Sequence, residues 1–376
     1  MLLSGIFPPI TTPFYPDGEV YYKKLEANVE RYSRTPVAGI VVQGSTGEAI
    51  LLSDQERRDV LKTAIAAAAP HKVMIAGAGI ESARETLALT EYAAELGYDA
   101  AMVRTPHYYK KQMLPANLLA FYRTVADRSA LPIIIYNFPQ ATGYDMPAEV
   151  VIELAGHPNI IAIKESSGNL DKVKKMVEGT RHIKRQATVT ETFEAATPRM
   201  LKAAAESAKE SRELVSVASL AGSADRGAGD SPAVGRASSP APASAKLSSS
   251  AVTVVGKLKT RQKEVGFQVM VGAAHQLEPS LELGAVGAIL AFACPAPTAC
   301  YEIYAALKDG DHALAREKQE RVKLPAQRVV GDLGVPGVKY SMDLNGYYGG
   351  PARLPFLPLS GDQKAEIEKL MAGIKS

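Results

Sequence analysis

Lys164 closes the run Ile161-Ala162-Ile163-Lys164-Glu165-Ser166-Ser167. A lysine at the end of a near-continuous apolar run is drawn toward the cavity that the run borders, and burial penalises its charged form. A neutral amine so placed can attack a carbonyl and form a Schiff base. The plain alternative is a lysine whose stem is buried while its head reaches solvent or an acid. Tyr136 ends a second such run, Ile135-Tyr136-Asn137-Phe138-Pro139. Its phenol could shuttle a proton during carbinolamine formation, or simply pack with its hydroxyl satisfied. In Gly44-Ser45-Thr46-Gly47-Glu48 two glycines permit a tight turn, so that consecutive N–H groups and two hydroxyls can meet a small carboxylate. Pro106-His107-Tyr108-Tyr109-Lys110 offers further phenols, of a kind also common at surfaces and interfaces.

These residues need a scaffold that brings strand ends together. Short β-branched runs bounded by Gly or Pro begin near Ile6, Gly39, Val73, Ala100, Pro132, Ile160, Phe267 and Gly287. Their interiors are apolar without clean alternation, as in parallel strands covered on both faces. Helical patterns separate them, with capping-box signatures at Ser53–Glu56 and Ser82–Glu85. Eight strands alternating with helices predict a (β/α)8 barrel of the TIM type, whose active site lies at the C-terminal ends of the strands. Gly77-Ala78-Gly79 is only a fragment of a dinucleotide-binding fingerprint and reads better as a tight strand exit.

The sixth interval between strand starts, from Ile160 to Phe267, exceeds its predecessors by roughly 75 residues, far beyond ordinary loop lengths. We therefore read residues 1–182 and 263–308 as the barrel, 183–262 as an insertion between helix 6 and strand 7, and 309–376 as a C-terminal helical extension. Residues 221–250 have the Ala/Ser/Gly/Pro composition of a flexible linker. An amphipathic helix is expected over 191–214 and a short strand over 251–255. As an αβ connection, the insertion is expected at the barrel face opposite the active site.

The chain has 376 residues, 46% hydrophobic and 22% charged, enough to bury a large core. This composition excludes disordered, collagenous and disulfide-framework classes. No apolar stretch is long enough for a membrane span. Because residues 4–14 already read as a strand, no signal or transit peptide is expected; with two cysteines, Cys294 and Cys300, in apolar sequence, the reading is a cytoplasmic protein. The formal charge of +3 is uneven: residues 181–264 hold 14 Lys/Arg against 8 Asp/Glu, leaving the remainder at −3. That basic segment has one aromatic, Phe193, so nucleic-acid binding is not expected. None of the six histidines pairs with another at metal-ligand spacing, and no metal site or cofactor is expected.

Taken in order and spacing, Gly44-Ser45-Thr46-Gly47-Glu48, Tyr136-Asn137-Phe138-Pro139 and the strand-six Lys164 resemble the dihydrodipicolinate synthase / N-acetylneuraminate lyase family of class I aldolases. The resemblance covers nearly all of the chain except the insertion. Gln43-Gly44-Ser45, Asp99-Ala100-Ala101-Met102-Val103 and Tyr347-Tyr348-Gly349-Gly350-Pro351 carry a closer likeness to its 4-hydroxy-2-oxoglutarate aldolases. The resemblance implies that Lys164 is the Schiff-base lysine and Tyr136 the proton shuttle. It implies a relay completed by Ser45 and by Tyr108, the latter crossing from a neighbouring subunit of a homodimer or homotetramer. Thr46 would hold the carboxylate of the 2-oxo acid, the Ile289 carbonyl would line the site, and Ser166 would be a further substrate contact. Pyruvate and an aldehyde are the implied small molecules.

Two departures bear on the substrate. The synthase pattern has an arginine two residues after the proline of the tyrosine motif, where this chain has Ala141. Loss of such a carboxylate clamp costs on the order of 2–5 kcal/mol unless another cation replaces it, and Arg104 is the nearest sequence candidate. The sialic acid lyases carry an acidic pair after strand seven, where this chain has Gly272-Ala273-Ala274-His275. Both departures favour a small 2-oxo acid aldolase, and with the closer likeness the leading expectation is cleavage of 4-hydroxy-2-oxoglutarate to pyruvate and glyoxylate. The alternative is 4-hydroxy-tetrahydrodipicolinate synthase, which joins pyruvate to aspartate semialdehyde. A non-catalytic barrel used for binding or assembly is a third reading, opposed by the intact Lys164, Tyr136, Ser45 and Tyr108.

Overall fold

The computed structural model describes residues 1–192, 194–220 and 252–374. The expected linker at 221–250 and Phe193 lie outside the described residues. Eight strands form a parallel sheet: β1 (Gly5–Phe7), β2 (Gly39–Val42), β3 (Val73–Gly77), β4 (Ala100–Arg104), β5 (Ile133–Asn137), β6 (Ile160–Glu165), β10 (Gln268–Val271) and β11 (Gly287–Ile289). Their order, β1-β11-β10-β6-β5-β4-β3-β2, returns to its start, because the Val41 N–H donates to the Pro8 carbonyl and Ile10 to Val41. The sheet is thus a closed (β/α)8 barrel. All eight strands fall where the apolar runs predicted them.

Alternation along each strand sends one set of side chains inward. Phe7, Val41, Ile75, Met102, Ile134, Ala162, Met270 and Ile289 belong to one buried cluster that fills the barrel. A second, larger cluster lies between strands and helices. The Ser53 capping box is present in full, while at Ser82 the hydroxyl accepts the Glu85 N–H. After β11 the chain adds helices at Pro297–Lys308, His312–Ala326, Gly334–Leu344 and Gly361–Met371, with a π-helical turn at Gln327–Asp332.

The inserted segment builds a separate antiparallel sheet from β7 (Arg185–Thr190), β8 (Thr253–Val255) and β9 (Leu258–Val265), in the order β7-β9-β8. Its helix runs Pro198–Leu220, later than the expected 191–214, because Thr197 accepts the Met200 N–H and Pro198 takes the first helical position. The Arg185 guanidinium donates to the Ala155, His157 and Ile160 carbonyls, and that of Arg199 donates to Ala69 and Lys72. These acceptors sit at or just before the starts of β6 and β3. Met200 closes the barrel interior from the same side. The insertion therefore caps the N-terminal mouth.

Candidate active site

Arg104, Tyr136, Lys164 and Met270 are successive register partners across β4, β5, β6 and β10, one row at the C-terminal ends of the strands. Parity with the inward-facing Met102, Ile134 and Ala162 turns the row into the barrel mouth. There it borders a cavity of about 940 Å³ whose wall includes Ser45, Thr46, Arg104, Tyr136, Lys164 and Ser166.

Lys164 is 4% exposed, and its Nζ stands 4.1 Å from the centroid of the Tyr136 ring. Burial lowers its pKa to about 7, because an ammonium loses hydration there with no carboxylate among the described residues to replace it. The adjacent Glu165 cannot serve, since alternation points it out of the barrel. Glu165 accepts from the Asn137 side chain and the Ser167 N–H and lies 3.2 Å from the Lys172 ammonium. The neighbouring Cys294 thiol is pushed up by burial, so it stays neutral.

Tyr136 is pushed up to about 12, mainly by burial, which keeps its phenol protonated. Its hydroxyl lies 3.2 Å from the Ser45 Oγ, a hydrogen bond in which either oxygen can donate. Proton passage between the two is therefore geometrically direct. Ser166 Oγ is buried with no hydrogen-bond partner among the described residues. Gly272 is required opposite it, since a Cβ there would come within 1.9 Å of that oxygen.

Tyr108 and Ile289 stand apart from this group. Tyr108 is 75% exposed, meets Tyr109 edge-on with centroids 5.1 Å apart, and does not line the cavity. Within one chain the hydrogen-bonded pair is Ser45 and Tyr136. Ile289 lies in the apolar filling of the barrel, not on the cavity wall. Ala141 does line the wall.

Sequence reasoning missed how the carboxylate-loop candidate is held. Glu48, at a left-handed φ of 54°, ends the Ser45–Gly47 turn and forms a fully buried ion pair with Lys339 at 2.5 Å. The Lys339 ammonium also donates to the Pro351 carbonyl, and Arg353 N–H donates to Glu48. The local signal is a lone cation in the small and apolar run Gly337-Val338-Lys339, which does not name its partner. The π-helical turn also lines the cavity. Among the described residues no cluster of three metal-ligating side chains occurs, and no helix is long and apolar enough to cross a membrane.

The model of the dihydrodipicolinate synthetase family matches residues 2–216 and 243–374. A 4-hydroxy-tetrahydrodipicolinate synthase of Methanothrix thermoacetophila is 27% identical over 370 residues, 98% of this chain and 96% of that protein. The synthase of Xanthomonas campestris is 41% identical over 177 residues, which span 47% of this chain and 58% of that protein. Among solved structures, dihydrodipicolinate synthase from Bacillus anthracis superposes with a TM-score of 0.73 at 19% identity over the whole of both chains. A prophage protein of E. coli K12, solved with pyruvate, gives 0.72 at 24%, covering 100% of this chain and 99% of its own. Both structural likenesses speak to the fold. By the extent of the family match, the chain belongs to the dihydrodipicolinate synthetase family, a family of pyruvate-dependent class I aldolases and lyases.

Proposed function

We propose that the chain cleaves 4-hydroxy-2-oxoglutarate to pyruvate and glyoxylate through a Schiff base on Lys164. The observation that carries the chemistry is the buried Lys164 amine, with no carboxylate beside it among the described residues and a pKa of about 7, under a protonated phenol. In this reading the amine attacks the C2 carbonyl, and the carbinolamine loses water to give a protonated imine. Electrons of the C3–C4 bond flow into that imine, leaving an enamine of pyruvate. Tyr136 gives its proton to the hydroxyl that leaves the carbinolamine as water, and the resulting phenolate takes the proton of the 4-hydroxyl as the aldehyde departs, with Ser45 as the next carrier. Protonation of the enamine at C3 and hydrolysis free pyruvate and the amine. Thr46 holds the carboxylate, and the unpartnered Ser166 hydroxyl supplies a further contact. No step needs a metal or cofactor.

Ala141 supports the aldolase reading over the synthase one as a departure from the synthase pattern, which has arginine at that position. The second reading, condensation of the same enamine with aspartate semialdehyde, draws support from relatives that bear the name 4-hydroxy-tetrahydrodipicolinate synthase. We further propose a cytoplasmic homodimer or homotetramer in which Tyr108 of one copy reaches the site of another. Borohydride added with pyruvate is expected to leave a pyruvate-derived mass on the peptide containing Lys164. An adduct elsewhere, or EDTA-sensitive activity with no adduct, would overturn the mechanism. Faster turnover of pyruvate with aspartate semialdehyde than of 4-hydroxy-2-oxoglutarate would select the second reading.

A further inference from the structure

Among the described residues three arginines line the cavity: Arg57, Arg104 and Arg328. Arg328 is fully engaged, bidentate to Glu366 at 2.6 and 3.0 Å and 3.1 Å from Asp332. Arg57 donates its Nε to the Ala49 carbonyl at 3.2 Å and makes no ion pair among the described residues. Arg104 leans across the exit of β3, donating Nη1 to the Gly79 carbonyl. Its Nε is buried without a hydrogen-bond partner among the described residues. Its nearest carboxylate, Glu81, is 3.7 Å away and already accepts the N–H groups of His107 and Tyr108. Arg57 and Arg104 are close enough to repel one another. Two guanidinium groups thus share one wall with a single, divided counter-charge.

Such a surplus of positive charge in a partly desolvated cavity wall is a site awaiting an anion. The register fixes which end of a substrate would meet it. Arg104 is one strand beyond Tyr136 and two beyond Lys164, so an anion there belongs to the part of the substrate beyond the bond that Tyr136 serves. Resting on the Schiff-base reading, we infer that Arg104, backed by Arg57, binds the carboxylate of the aldehyde half of the substrate. The chain thereby selects aldehydes that carry a carboxylate, with the cation supplied by β4 in place of residue 141.

The test compares wild type with Arg104→Gln and Arg104→Lys. Pyruvate is offered glyoxylate or succinic semialdehyde, and in parallel the neutral aldehydes glycolaldehyde and butanal. The readout is the ratio of kcat/KM for carboxylate over neutral acceptors. Arg104→Gln should lower that ratio about 30-fold or more, the change that loss of a charge-assisted contact of about 2 kcal/mol represents. Arg104→Lys should restore part of it. An unchanged ratio, or equal losses on both acceptor classes, would overturn the assignment. Calorimetric titration with glutarate against butyrate gives a second reading without turnover, and only glutarate should lose affinity in Arg104→Gln. Borohydride trapping of pyruvate on wild type is run alongside. A missing adduct there strikes the Schiff-base reading, whereas an intact adduct with an unchanged ratio strikes Arg104 alone.

Discussion

Lys164 and Lys339 are buried to nearly the same depth, 4% and 1% exposed, and each ammonium lies over an aromatic ring, 4.1 Å from Tyr136 and 4.4 Å from Phe14. What differs is the third neighbour. Lys339 meets the Glu48 carboxylate at 2.5 Å and the Pro351 carbonyl at 2.8 Å. Among the described residues Lys164 meets no carboxylate, because strand alternation turns Glu165 outward to Asn137 and Lys172. Burial alone therefore does not make an amine a nucleophile. A buried lysine with a partner is a structural tie, and one without a partner sheds its proton near neutrality. The two regions are also joined: the tie at Lys339 holds the loop that presents Ser45 to the Tyr136 hydroxyl.

The sharpest way to break the comparison is to remove the unpartnered amine. Lys164→Met should abolish borohydride trapping and lower turnover by more than about 10⁴-fold, beyond what one proton-transfer group supplies. The same lysine sets a pH signature. Its pKa falls from 10.5 unfolded to about 7 folded, so between those values the unfolded state holds the extra proton. Stability must then rise with pH from about 7 toward 10.5. Trapping rates should rise through a midpoint near 7 in the same direction. Urea melts at pH 7 and 9 measure this, and a slope that persists in Lys164→Met would assign it to another group.

Tyr136→Phe keeps the ring under the amine and deletes only the hydroxyl that Ser45 engages. Turnover should fall by about 10²–10⁴ while the fold and the pyruvate adduct persist. Turnover equal to wild type would make Tyr136 a packing residue.

The partnered lysine should fail differently. Lys339→Met leaves Glu48 buried without its counter-charge, which costs about 3–5 kcal/mol of stability. Its adduct at Lys164 should still form, though with a weaker KM for pyruvate as the Ser45–Gly47 turn loosens. Adding Glu48→Gln should recover part of the stability, because no unpaired charge then stays buried. A single variant as stable as wild type would show that the tie carries no load.

This contrast also marks what could be read in the sequence. Lys164, Tyr136 and Ser45 were legible because each lies at or just past the end of a strand of a repeating pattern, and the barrel brings strand ends to one mouth. The pair Glu48–Lys339 was not, because its members are 291 residues apart and nothing local to either names the other. The same limit applies to the insertion. Its composition and its location in the chain were plain, but β7 and β9 were missed. Arg185-Gln186-Ala187-Thr188-Val189-Thr190 and Leu258–Val265 alternate in burial as a half-exposed antiparallel pair does, and neither contains a continuous apolar run. Tyr108 was read from a motif, and its exposure shows that one chain does not decide its partner.

The smallest expected effect comes from the far end of the barrel. Arg185 and Val265 are register partners at the base of the inserted sheet, and antiparallel partners stand only about 5 Å apart. A two-residue Asn-Gly turn can therefore replace residues 187–263 without pulling on β6 or β10. Such a variant retains Arg185 and its bonds to the Ala155, His157 and Ile160 carbonyls. It loses Met200 from the barrel interior and the Arg199 bonds to Ala69 and Lys72. Those losses should cost about 1–3 kcal/mol of stability, the range for a partly refilled apolar contact and a few hydrogen bonds. The row of Arg104, Tyr136 and Lys164 lies at the opposite ends of the strands, so the rate of pyruvate trapping should stay within about threefold of wild type. A shortened chain that melts cooperatively yet no longer traps pyruvate would mean that the N-terminal cap sets the depth, and so the charge, of Lys164.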